Sequence, residues 1–303
     1  MGQDTTTTEL LTDREQVAQR LLEASARHTF DPDTELDWEA PLEEGRWFIP
    51  PNLVSLYGTP LWERMGEAQR IDLSRHEFAS MASAGIWLEI ILMQLLARHI
   101  YDLDPRTGHV QYALTEVADE CRHSKMFARA VQKLDTPWYQ PTGLHRFLAR
   151  ILKTACGTPA AFTATLLGEE ILDRFQRQTF PDESVQPLVR GITRIHVVEE
   201  ARHVRYAREE LRRSMTTAPL RERQEARLLG GFTARVVASS FVHRDVYAQV
   251  GLDPEEARRQ VAASAHRRET MRWGAERLTG HLEEIGVIEG RMARSQWRKA
   301  GLI

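Results

Sequence analysis

A five-residue pattern that occurs twice constrains this chain more than any other feature. Asp119-Glu120-Cys121-Arg122-His123 and Glu199-Glu200-Ala201-Arg202-His203 both read acid-Glu-x-Arg-His. A single Glu-x-x-His is expected roughly once by chance in such a composition and says nothing, but the longer pattern is expected only about 0.02 times. In each copy the Glu and His stand at i, i+3 on one helix face, the spacing by which helix bundles present paired metal ligands. The second copy reaches further back, because His196, Glu200 and His203 fall at i, i+4 and i+7.

A dimetal bundle site needs one more carboxylate from each of two partner helices. Glu89 lies 31 residues before Glu120, and Glu169 lies 31 before Glu200. Either gap accommodates a helix, a turn and an antiparallel return. Glu89 is preferred to Glu77 because it sits in an apolar stretch, where an acid without a metal would be unpaired. Candidate donors are therefore Glu89, Glu120, His123, Glu169, Glu200 and His203, with His196 on the same face. This oxygen and nitrogen set suits iron, with manganese as a substitute, better than a structural zinc site, which recruits thiolates. Four carboxylates would balance two divalent ions, so the charge could be buried. Asp119 and Glu199 directly precede the ligand glutamates and are placed to accept the N–H of the opposite motif's histidine, with Arg122 and Arg202 bonding those acids. The plain alternative for the arginines is a pair of surface ion pairs.

Composition narrows the class. With 303 residues, 42% hydrophobic and 27% charged, the chain reads as a soluble globular protein. A net charge of −3 gives no global pull toward nucleic acid or an acidic membrane. Two cysteines make no disulfide framework, and Met1–Leu10 lacks the layout of a signal peptide, so a cytoplasmic setting is expected. The most apolar run, Ile86–Ala97, is interrupted by Glu89 and Gln94 and is too short to span a bilayer.

Along the chain, residues 1–12 read as disordered and a helix runs from about Asp13 to His28. Residues 30–58 read as an extended segment anchored by Trp38, Trp47 and Phe48. Helical patterns follow over about 61–101 (with a break near 72–74), 109–134, 143–156, 159–179, 187–215, 219–249, 254–285 and 289–299. Pro159 and Pro219 sit where a helix can begin. No strand of convincing alternation occurs. The expectation is one all-α domain over 1–303, with a four-helix-bundle metal core over about 61–216 and additional N- and C-terminal helices.

This layout resembles the ferritin-like diiron-carboxylate proteins, and among them the p-aminobenzoate N-oxygenase family. That family's mark is a second motif extended to His-x-x-x-Glu-x-x-His, found here as His196, Glu200 and His203. The resemblance covers roughly residues 60–250. It selects Glu169 over Glu170, adds His196 as a seventh ligand, and implies a diferrous site that reacts with dioxygen to form a peroxo-bridged diferric species. It further implies oxygen transfer to an aromatic amine, giving hydroxylamine, nitroso or nitro products, with reducing equivalents from an external donor. The implied setting is nitro-group biosynthesis in secondary metabolism. The ligands themselves would be the catalytic apparatus, with no separate acid–base residue.

Rival readings remain. In the ribonucleotide reductase radical subunit a radical tyrosine follows the first-motif histidine by four residues; here that position is Phe127. Ferritin-like iron storage has no use for a seventh ligand. A diiron enzyme acting on C–H bonds, by hydroxylation or desaturation, keeps the chemistry and changes the substrate. Gly85, Leu92, Phe127 and Thr165, each one turn from a ligand, are expected to line a substrate pocket. No partner beyond a small aromatic amine and an electron donor is called for, though the C-terminal helices could close a homodimer.

Overall fold

The structure is a computed structural model that describes residues 2–303, with side chains described from Asp13 onward. The described residues form no strand, and the single parallel bridge between Trp47 and Val185 merely ties a loop to the bundle. The fold is all-α, as expected.

Four long helices make the centre: α4 (Glu67–Ile100), α5 (Gly108–Lys133), α7 (Thr158–Thr179) and α8 (Pro187–Thr217). α4 pairs with α5, and α7 with α8, each pair joined by a short connection that returns the chain antiparallel. Local chemistry sets the starts. Thr107 caps α5 by accepting from Val110 N, and proline occupies the first turn of α7 and α8, where no N–H is needed. The long α4 qualifies by length and hydropathy as a possible membrane span, yet 67% of its apolar window is buried inside the protein. It behaves as a core helix carrying a buried acid.

Around this centre lie α1 (Gly2–Arg27), against α5 and α8, and the short α2 (Pro32–Glu35), α3 (Pro60–Arg64) and α6 (Gly143–Ala155). The C-terminal third adds α9 (Leu220–Ser240), α10 (Asp245–Gln249), α11 (Pro254–Ala263), α12 (Ala265–Glu284) and α13 (Gly290–Ala300). α9 and α12 cover α7, and α13 covers α9. One apolar cluster runs continuously from Val17 to Leu302.

The differences from the sequence reading have local causes. Residues 2–12, expected to lack structure, continue α1 as helix. The break expected near 72–74 falls instead at Met65–Gly66, and α4 is continuous from Glu67. The pattern over 219–249 divides because Ser80 of α4 bonds both Phe241 O and His243 N, pinning a turn there. The 254–285 pattern divides at Ser264, whose extended backbone and hydroxyl cap Arg267 N. In the segment over 30–58, Trp38 and Phe48 are buried as expected.

Candidate metal centre

Each bundle helix contributes inward donors: Glu89 from α4, Glu120 and His123 from α5, Glu169 from α7, and His196, Glu200 and His203 from α8. All seven are at least 95% buried. Donor atoms of Glu120, His123, Glu200 and His203 lie within 4.8 Å of one another; so do those of Glu89, His123 and His196, and those of Glu169, His196 and Glu200. The three groups share members, so they form one continuous cluster.

The imidazoles are oriented from both sides. Nδ1 of His123 lies 3.1 Å from Glu120, and Nδ1 of His203 lies 2.8 Å from Glu120 and 3.2 Å from Glu200. Their other nitrogens point away from the cluster: Nε2 of His123 donates to Glu199 at 2.8 Å, and Nε2 of His203 to Asp119 at 3.2 Å. The acid of each motif thus serves the histidine of the other. Arg122 bonds Asp119 and lies 3.6 Å from Glu199, while Arg202 lies 3.5 Å from Asp119 and 3.7 Å from Glu199. The two arginines and two acids form a closed, mostly buried ring, which argues against the surface-pair alternative. His196 presents Nε2 to Glu89 at 3.6 Å and to Glu200 at 3.7 Å.

The two competing acids are occupied elsewhere. Glu77 accepts from Ser55 N and from the Ser55 hydroxyl, which also meets Tyr247, so it fastens the loop before α3. Glu170 is held by a two-pronged contact with Arg208 on the outer side of α7.

Without a metal the cluster is electrostatically costly. Burial, with neighbouring carboxylates, pushes Glu169 well above the ordinary carboxylate range, and burial likewise raises Glu89. Burial opposes ionisation of Glu120 too, but His203 and His123 outweigh it and hold the carboxyl low. Burial also disfavours a His123 cation, yet Glu120 and Glu199 carry its pKa up to about 10. Even so, Glu89 Oε1, Glu200 Oε1 and His196 Nδ1 are buried with no hydrogen-bond partner. Buried carboxylate oxygens left open in this way fit cations at the centre of the cluster.

Two apolar cavities reach the cluster. One, of about 40 Å³, is lined by Gly85, Glu89, Phe127, Glu169 and His196. The other, of about 190 Å³, lies between α4, α6, α7 and α9 and is lined by Leu92, Thr165 and Glu169 among others. Leu88 and Glu169 border both. The four residues expected to line one pocket are therefore shared between two.

The sequence reading assigned no role to several buried groups. Glu116 stands where the second motif has His196, four residues before the ligand glutamate. Both its oxygens are buried without a partner, and burial pushes its pKa well up. Its place in the duplicated pattern was the available signal. Ser124 donates to Glu89 at 2.7 Å. His99, His109 and Glu210 also gather at metal-ligand distance, but the Arg14 guanidinium fills that cluster, bonding Glu210 through two nitrogens at 3.0 and 2.8 Å.

Fold and donor set together define a helical-bundle protein with a buried carboxylate–histidine cluster able to bind metal. Residues 11–286 match the family model described as P-aminobenzoate N-oxygenase AurF, and the chain belongs to that family of diiron oxygenases. It is also similar to Uncharacterized protein Rv0885 of Mycobacterium tuberculosis and Uncharacterized protein Mb0909 of Mycobacterium bovis. Each is 29% identical over 232 residues, covering 73% of this chain and 67% of the relative.

Proposed function

We propose that this protein is an arylamine N-oxygenase, with Glu89, Glu120, His123, Glu169, His196, Glu200 and His203 holding two iron ions. The observation that carries this reading is His196: a third imidazole, 98% buried, aimed at the carboxylates of Glu89 and Glu200. Iron bound there would supply the reduction of dioxygen and the delivery of one oxygen atom to an electron-rich nitrogen. The balance of the first step is amine, dioxygen, two electrons and two protons giving hydroxylamine and water, the electrons coming from an external donor. Further rounds would give nitroso and nitro products.

The residues of the chain have defined tasks. Asp119 and Glu199 fix the tautomer and ring plane of the two motif histidines and raise their basicity. Against the cost of burial, those histidines in turn hold the acids low, with Arg122 adding to the effect on Asp119 and the Phe30 N–H to that on Glu199. Leu88, Phe127 and Phe175, with the rest of the apolar lining, exclude water from the face of the cluster that meets Glu89 and Glu169. Phe127 packs its ring 5.0 Å from His196 and offers no oxidisable hydroxyl, which fits oxygen transfer better than radical storage. The test is turnover: iron-loaded protein, a chemical reductant, an arylamine and isotopically labelled dioxygen, with products resolved by mass. Labelled hydroxylamine, nitroso or nitro product supports the reading; unchanged amine across an arylamine panel, with iron bound, refutes it.

A further inference from the structure

We infer that the 190 Å³ cavity between α4, α6, α7 and α9 is the substrate chamber, and that its ligand is a neutral, apolar aromatic amine without a carboxylate. The amine rests on the N-oxygenase reading; the absence of charge does not.

Size decides which cavity holds the ring. An apolar cavity of about 150 Å³ already accommodates benzene. The chamber of about 190 Å³ can take one substituted ring, whereas the neighbouring 40 Å³ space has room for little more than a water molecule. The chamber ends on Glu169, one of the seven clustered donors, so a ring seated there has one edge at the candidate centre. Its mouth is apolar as well: Ile151, Leu229 and Phe232 line it and are between 41% and 48% exposed. A ligand can therefore enter from solvent between α6 and α9.

Charge decides the class. No lysine or arginine lines either cavity, and residues 1–12 contain neither. An adjoining space of about 130 Å³, which shares Leu92, Leu95 and Thr165 with the chamber, is lined by Arg98, but that guanidinium is committed to the carbonyls of Lys153 and Cys156 at 3.0 and 2.7 Å. Arg146 and Arg150 of α6 face solvent. The remaining polar lining groups are Trp87, His145, Cys156, Thr165, Thr233 and Glu169. His145 is held toward its neutral form by burial, and burial with Glu225 pushes the Cys156 thiol up to about 11. A carboxylate placed here would be desolvated beside an acid, with no lysine or arginine in the lining to meet it, which is strongly unfavourable. Anilines carry no charge near neutral pH and lose little on entry.

The experiment compares two ligands that differ in that one respect, 4-propylaniline and 4-aminobenzoate, by calorimetric titration of the full-length protein without turnover. The aniline should bind at least about tenfold more tightly. Phe232→Glu, an exposed change at the mouth, and Ala164→Phe, which fills the chamber, should each weaken aniline binding by about tenfold or more. Val236→Arg should bring aminobenzoate in. Equal or tighter binding of aminobenzoate to the unaltered protein would overturn the inference. So would no binding of either ligand, or aniline binding indifferent to both Phe232→Glu and Ala164→Phe. Failure of the N-oxygenase reading looks different: the aniline binds as described, and the iron-loaded protein returns it unoxidised.

Discussion

Glu199 on α8 reaches across the bundle to accept a hydrogen bond from Nε2 of His123 on α5, 2.8 Å away. Asp119 on α5 does the same for His203 on α8 at 3.2 Å. Each motif is therefore incomplete alone, and the duplication works as an exchange. Such outer partners orient a ligating imidazole, and their loss typically weakens metal affinity about 10–100-fold. Glu199→Ala and Asp119→Ala should each do so, read by iron titration against a competing chelator. Unchanged affinity in both would mean that the ring of acids and arginines only packs.

Glu77 makes stability depend on pH. Burial, only partly offset by Ser55, raises its pKa from 4.5 to about 7. The folded protein thus binds this proton more tightly than the unfolded chain. Its contribution is full below about pH 4.5 and is lost as pH rises toward 7, a loss of about 3 kcal/mol at 1.36 kcal/mol per unit. Glu77→Gln should flatten denaturant-measured stability across that window, relative to the parent. An unchanged pH slope would show that Glu77 is solvated in the folded state.

Arg14 and Glu210 lock α1 to α8 through a largely buried two-pronged ion pair that also engages His99 at 3.4 Å. Removing one partner strands the other charge, which costs about 3–5 kcal/mol. Glu210→Ala should lower Tm by several degrees, while the double change Arg14→Met, Glu210→Leu should recover much of the loss. Equal damage from the single and double changes would contradict this account.

Gly231 lets α9 and α13 touch. A Cβ there would come within 2.5 Å of Gln296 Cβ and 3.0 Å of the backbone at Trp297 N. Since backbone cannot step aside cheaply, Gly231→Ala should destabilise by about 1–3 kcal/mol. Thermal unfolding that stays at the parental Tm would count against so close a contact.

The sequence disclosed those parts of the molecule in which short-range periodicity carries the information. The i, i+3 and i, i+4 spacing placed His196, Glu200 and His203 on one face, and the flanking acids foretold the crossed bonds to His123 and His203. What stayed hidden depends on contacts between residues far apart in the chain. Ser80 ends α9 from a position 161 residues from Phe241, and Arg14 finds Glu210 across 196 residues. The chamber at Glu169 was only half visible, because its charge balance follows from α6 turning Arg146 and Arg150 to solvent and from Arg98 being tied to the carbonyls of Lys153 and Cys156. Glu116 was given no role because its counterpart in the second motif, His196, is an imidazole, and only the fold shows that this carboxylate is enclosed without a partner.

Iron counted per chain after anaerobic loading, in the parent and in Glu169→Ala and His203→Ala, tests the central claim most directly. The account predicts two irons per parental chain and a clear loss in both variants, with the helical circular dichroism retained. Fewer than one iron in the parent, or two in variants lacking these donors, would contradict it.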